Sequence, residues 1–144
     1  MDALDPAGED SWAAPDTGSL EGDLRALAHT TADAFTDPAA AAAPTAFTAA
    51  AFQSQRAAEA LSAFYSERFA RCDVIVARAV ARNELDRHTE AETLVRAVAS
   101  PLFSGLFITC EPIDETLADR AADAALVAAR ASVFSTPPIS AEPA

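Results

Sequence analysis

A chain of 144 residues is long enough for one domain with a single core and too short for two domains of ordinary size. Alanine dominates, glycine is rare and β-branched runs are scarce, so summed helix propensity is high and the expected class is all-α. With 22 acidic residues against 10 basic ones, all arginine, the formal net charge is −12, and such a surface repels a phosphate backbone and excludes nucleic-acid binding by this chain alone.

Residues 1–17 contain Pro6, Gly8 and Pro15 among acids with no base, and read as a flexible acidic arm whose one anchoring candidate is Trp12. Ser19 is a candidate cap for a first helix with Leu20, Leu24, Leu27, Ala28, Thr31 and Phe35 along one face. Asp37-Pro38 ends that helix and can open the next, because proline is tolerated at a first helical position. The alanine-rich stretch from Ala39 to Ser54 favours helix, with Pro44 expected to break or kink it. A third, long helix is expected from about Gln55 to Asn83, with Leu61, Phe64, Tyr65, Arg68, Cys72, Ile75, Val76, Ala79 and Val80 on one stripe.

After a polar connection, Thr89 with Glu92 three residues on matches a capping box that opens a fourth helix. From Leu94 to Ile108 only Arg96 is charged, so this helix reads as apolar around most of its circumference and must be covered on both sides. Pro101 is expected to bend it near Ala97. Asp114 should cap a last helix from Glu115 to about Ser132, along which Ala118, Ala121, Ala122, Ala125 and Ala129 offer small side chains for close helix approach. A small domain has few elements to cover two such helices, which favours a second subunit. The expected interface residues are Leu102, Leu106, Leu117, Ala121, Ala125 and Ala128. Residues 135–144 form a proline-rich tail expected to be disordered, leaving 18–134 as the domain, a bundle of about five helices.

The apolar run from Leu94 to Ile108 falls short of the roughly 20 residues a bilayer requires, and the acidic start lacks the features of a secretory signal, so a cytoplasmic protein with no membrane partner is expected. Cys72 and Cys110, without a CxxC or Cys/His spacing, are expected to be buried free thiols. His29 and His88 have no second ligand at helical spacing, so no metal or other cofactor is expected. A nucleophile turn, a glycine-rich phosphate loop and a carboxylate pair in an apolar setting are all missing, which argues against an enzyme. The aromatic residues Phe47, Phe52, Phe64, Tyr65, Phe69, Phe103 and Phe107 pack a core or line a cavity among the middle helices. The expected lining is Phe47, Phe64, Tyr65 and Phe103 with Cys72 nearby, Tyr65 supplying the polar handle.

Three phrases carry a family resemblance: DTGSLEGDLRAL from Asp16, RFARCDVIVARAVARNEL from Arg68, and PLFSGLFITCEPIDETLADRAADAAL from Pro101. In this order and spacing the stretch from Thr17 to Phe134 resembles the C-terminal regulatory domain of TetR/AcrR-type transcriptional regulators. The resemblance implies a homodimer in which the last two long helices of each subunit form a four-helix bundle. It also implies an apolar pocket for a small-molecule effector, and DNA binding through an N-terminal helix-turn-helix domain that these residues do not contain. Met1 to Leu4 is similar to the end of the helix linking the two domains. The sequence departs from the family where glycine commonly occupies the positions of Asn83 and Cys110, and where aromatic and basic residues commonly follow the PLF element. The alternative is a stand-alone protein of this fold that binds a ligand or forms mixed dimers without binding DNA.

Overall fold

A computed structural model describes residues 13–137. Among them the elements are α1 (Leu20–Thr36), α2 (Pro38–Ala51), α3 (Gln55–Arg71), α4 (Asp73–Ala81), α5 (Ala91–Ser104), a π-helical turn (Gly105–Thr109) and α6 (Glu115–Arg130). The class is all-α. Trp12, the first residues of the expected arm and the end of the expected tail lie outside the described residues.

Helix starts follow the sequence signals closely. The Ser19 hydroxyl accepts from the amide of Gly22, Asp37 from Ala39 behind Pro38, and Asp114 from Leu117, each satisfying an amide that has no partner within its helix. The fourth start differs from expectation. Glu90, not Thr89, is the cap residue, and no capping box forms: Glu92 pairs instead with Arg96 at 2.7 Å. Thr89 is drawn into a single antiparallel bridge with Ser135, where the amide of Glu90 donates to Phe134 at 2.8 Å and that of Thr136 to His88 at 3.1 Å. Residues 135 and 136, just after Phe134, thus take part in backbone pairing with the segment before α5. At the other end Pro15 and Asp16 are held by Arg78, and Thr17 by Asp23, so this part of the arm is anchored.

Neither proline breaks its helix. α2 runs through Pro44, whose neighbourhood is solvent-facing enough for water to serve the freed carbonyl, and α5 runs through Pro101. The long third helix is interrupted once, at Cys72 (φ −89°, ψ −3°), with no glycine or proline involved. That interruption separates two environments. α3 buries only Phe69 fully and stays peripheral, whereas α4 turns Ile75, Val76 and Ala79 into the core.

α1 is the centre of the domain: α6, α5, α2 and α4 all pack against it, and α3 of the α2–α3 hairpin reaches α5. The core joins Leu20, Leu24, Leu27 and Ala28 of α1 to Ile75 and Ala79 of α4, Leu94, Val98 and Leu102 of α5, and the alanine stripe of α6. Ala118, Ala121, Ala122, Ala125 and Ala129 are all at most 3% exposed within one subunit, so the small side chains serve close approach inside the chain. Ala91–Thr109 is 19 residues long and apolar enough by length and composition to cross a bilayer, longer than the sequence suggested. Its apolar residues Leu94, Val95, Val98, Ala99 and Leu102 pack into the core of this domain.

Among the described residues three non-glycine positions have positive φ, and each ends a helical segment: Asn83 (60°), Cys110 (53°) and Ser132 (59°). After α4 the amide of Glu84 reaches the carbonyl of Ala79 at 2.8 Å and that of Asn83 reaches Val80 at 3.0 Å, the paired bonds of a Schellman cap. Val133 and Ser132 close α6 in the same way on Ala128 and Ala129. Left-handed backbone explains why glycine suits the positions of Asn83 and Cys110. Asparagine tolerates that region; cysteine does not, at a cost of roughly 1–2 kcal/mol. Cys110 is exposed, contrary to expectation, so its side chain has little packing to lose. Cys110→Gly should therefore raise the unfolding free energy by about 0.5–1 kcal/mol, after the entropy that glycine adds to the unfolded chain. Urea denaturation under reducing conditions checks this, and a destabilised variant would refute it.

Candidate functional site

α5 has two working sides. Leu94, Val95, Val98 and Leu102 face the core, while Arg96, Ala99, Ser100, Phe103 and, across the π turn, Phe107 recur at helical spacing along a different side and line a cavity. The roof is the α2–α3 hairpin, which contributes Thr48, Ala51 and Phe52 from its first arm and turn, and Ala58, Leu61, Ser62, Tyr65 and Phe69 from α3. The space, open to solvent on one side, is about 530 Å³, within the range of small-molecule sites.

Aromatic contacts build the wall. Tyr65 meets the Phe103 ring at 5.3 Å between centroids and 62°, and stacks beside Phe69 at 6.0 Å. Phe35 of α1 braces Phe103 from behind, edge to face at 5.7 Å, and Phe107 at 6.2 Å. Such pairs prefer edge-to-face or offset arrangements because the ring face is negative and its edge positive. Phe52 stands at the mouth, 84% exposed. The π turn helps set this wall: its wider winding lies between α5 and the left-handed Cys110, and Gly105 at its start lies so close to Leu117 of α6 that an added Cβ would sit 3.3 Å away. π turns inside α-helices are frequent at functional sites.

Polar groups are few. Burial pushes the Tyr65 phenol above its ordinary pKa, against the opposing effect of Arg68, so it remains a hydroxyl donor at neutral pH. Ser62, Ser100 and Thr48 add hydroxyls, although Thr48 donates to the carbonyl of Pro44 and Ser100 to that of Arg96. Among the described residues that line the cavity, Arg96 alone carries a charge. No three histidine, cysteine, aspartate or glutamate side chains among the described residues converge on a metal position.

Of the five residues expected at a ligand site, the structure brings two to the cavity. Tyr65 and Phe103 line it; Phe47 is half-buried on α2 outside it, and Phe64 lies beneath the Arg68 guanidinium, 3.4 Å from the ring centroid. Cys72 is 1% exposed in the core, where burial, with Asp73 adding to it, pushes the thiol up and keeps it neutral. Sequence reasoning missed Arg96 and Ser100, although the spacing of residues 96, 99, 100, 103 and 107 carried the signal.

The residues expected between subunits divide in the same way. Leu102, Ala121 and Ala125 are 0%, 2% and 3% exposed within one chain, while Leu106, Leu117 and Ala128 remain half-buried. On the outer sides of α5 and α6, Ser104, Ala124 and Val127 are exposed and Ala97 and Pro101 half-buried.

A protein-family model described as "Tetracyclin repressor-like, C-terminal domain" matches residues 14–125. Comparison with curated proteins finds no match. The family match begins at the anchored segment before α1 and ends within α6, spanning the α2–α3 hairpin, the cavity and the π turn. The chain belongs to the tetracyclin repressor-like C-terminal domain family.

Proposed function

We propose that these helices are the effector-binding and dimerisation unit of a TetR-type repressor that responds to a small apolar molecule, with DNA contacted by a helix-turn-helix domain and not by this acidic surface. The reading makes the protein cytoplasmic, homodimeric and non-enzymatic. The observation that carries it is the aromatic cavity between the α2–α3 hairpin and α5, which has hydroxyls and one arginine at its edge and no acid–base or metal machinery among its lining residues. An effector held there touches both the hairpin and α5, so a state in which the two sit differently would bind it with a different affinity. Only such a difference can shift a regulator's population.

The dimer face in this reading is the outer side of α5 and α6, built from Ala97, Pro101, Ala124, Val127 and Ala128 with Leu106 and Leu117 beside them. Their small size suits four helices packed closely, and two such helices per subunit give the four-helix bundle. Residues 13–137 all belong to this unit, including both anchored ends.

Titration with the neutral fluorophore N-phenylnaphthylamine tests the cavity. Saturable binding at one probe per chain is expected. Ser100→Trp, which plugs the lining from an exposed position, should reduce the affinity at least tenfold, a loss of about 1.4 kcal/mol, with helix content unchanged. Sedimentation of the same samples should give twice the 14.9 kDa chain mass. Weak, unsaturable probe binding would overturn the effector reading.

A further inference from the structure

We propose that the ligand is an amphiphile with one anionic head, of the monocarboxylate class with a hydrocarbon body, and that Arg96 receives the head at the mouth of the cavity. This rests on the effector reading above and deepens it.

Charge and chemistry at the mouth point the same way. The interior wall of Phe69, Phe103, Phe107 and Leu61 suits hydrocarbon. The chain as a whole carries −12, yet the described residues lining this cavity include no acid, and Arg96 is the one charge among them. A cation finds no counter-charge in the lining, and an uncharged body leaves the guanidinium without a role in recognition. An anion at the mouth finds a partner.

The guanidinium is also positioned for this. Its carbon lies 5.5 Å from the centroid of the Phe69 ring, and Phe69 is itself a wall of the cavity, so the charge is held at the wall by its attraction to the ring face. Its other visible tie is to Glu92, one turn back on α5, through Nε at 3.0 Å and Nη2 at 2.7 Å, both to the same carboxylate oxygen Oε1. The two side chains are 56% and 53% exposed, a setting in which an i, i+4 pair is weak. Glu92 thus parks the guanidinium without consuming its five donors, and an incoming carboxylate shares or displaces it. The nearby Ser100 hydroxyl and the Tyr65 phenol, kept protonated, supply hydroxyls on the same lining.

The test displaces N-phenylnaphthylamine with three ligands that share a ten-carbon chain and differ in the head: decanoate, decanol and decyltrimethylammonium. Decanoate should compete best at low salt, on the order of tenfold better than decanol, the effect of one charge-assisted hydrogen-bonded contact. Arg96→Gln should abolish that preference while leaving decanol unchanged, and Glu92→Gln, by releasing the guanidinium, should sharpen the preference for decanoate. Because both residues are exposed, both variants should keep the wild-type fold, which circular dichroism checks. Equal competition by decanoate and decanol, or a preference that survives Arg96→Gln, would overturn the anionic head while leaving the effector reading intact. Failure of all three to displace a probe that binds saturably would overturn the hydrocarbon body as well. Unsaturable probe binding would strike the effector reading itself.

Discussion

Leu102→Ala is expected to lower the unfolding free energy by about 3 kcal/mol, the middle of the range for truncating a fully buried leucine. Leu102 is 0% exposed on the core side of α5, enclosed by the chain's own α1, α4 and α6 residues in one cluster. The loss combines the transfer of three carbons' worth of side chain with the void left behind, because tightly packed neighbours collapse only in part. The measurement also decides between two places for this residue. A core leucine gives the same shift in urea denaturation at low and high protein concentration, whereas an interface leucine gives one that is small where subunits are apart and grows as concentration drives them together. A shift below about 1 kcal/mol would mean that the core has room to close around alanine.

Asp23→Ala should cost about 2–3 kcal/mol, a large effect for one polar residue. Asp23 is 0% exposed at the start of α1 and is kept buried by its partners. Oδ1 accepts from the amide of Thr17 at 2.7 Å and from its hydroxyl at 2.8 Å, and Oδ2 faces Nη2 of Arg82 at 3.6 Å, too long for a hydrogen bond but close enough for attraction. Gly22 makes the turn possible, since a Cβ there would lie 2.2 Å from the Thr17 hydroxyl. Alanine at position 23 removes the acceptor of the Thr17 amide and hydroxyl and the acid facing a partly buried arginine. Asp23→Asn, which keeps an oxygen for Thr17, should recover about half of the loss.

Glu84 extends the same latch and gives it a pH dependence. Partial burial alone would raise its pKa, but the amide of Leu20, at 3.0 Å and 3.2 Å from its two oxygens, and Nε of Arg82 at 2.6 Å outweigh burial and hold the carboxyl below its ordinary value. Since the folded-state value lies below the unfolded one of about 4.3, this stabilisation is complete above the unfolded value and is lost as pH falls through the folded one. Denaturation midpoints followed from pH 6 to pH 3 should fall less steeply in Glu84→Gln than in the parent chain. A parallel fall would remove Glu84 from the acid response.

What could be read in the sequence was whatever is local. Ser19, Asp37 and Asp114 announced three helix starts, because a cap acts through amides two or three residues away. All six residues expected on the inner face of α1 are buried. The misreadings arose where distant segments compete for a residue. Thr89 looked like a cap until Ser135 claimed its backbone, and the alanine stripe of α6 looked like a subunit contact until α1 filled it. The cavity was half legible. Tyr65 and Phe103 were found because aromatic bulk is conspicuous, whereas Arg96 was counted as an interruption in an apolar run when its spacing to Ser100, Phe103 and Phe107 marked a second face. Cys72 was placed by its stripe, but the stripe turns at that residue, and the interruption puts it in the core.

The pairing of first helix with last has a consequence for how this protein is made. Arg25 and Asp123, which meet at 2.9 Å across the α1–α6 seam, are 98 residues apart in the chain. At roughly 5–20 residues per second, a ribosome that has just produced α1 works for about 5–20 s before its partner exists. Through that interval Leu20, Leu24, Leu27 and Ala28 lack the helix that covers them, so the domain closes only near the end of its own synthesis.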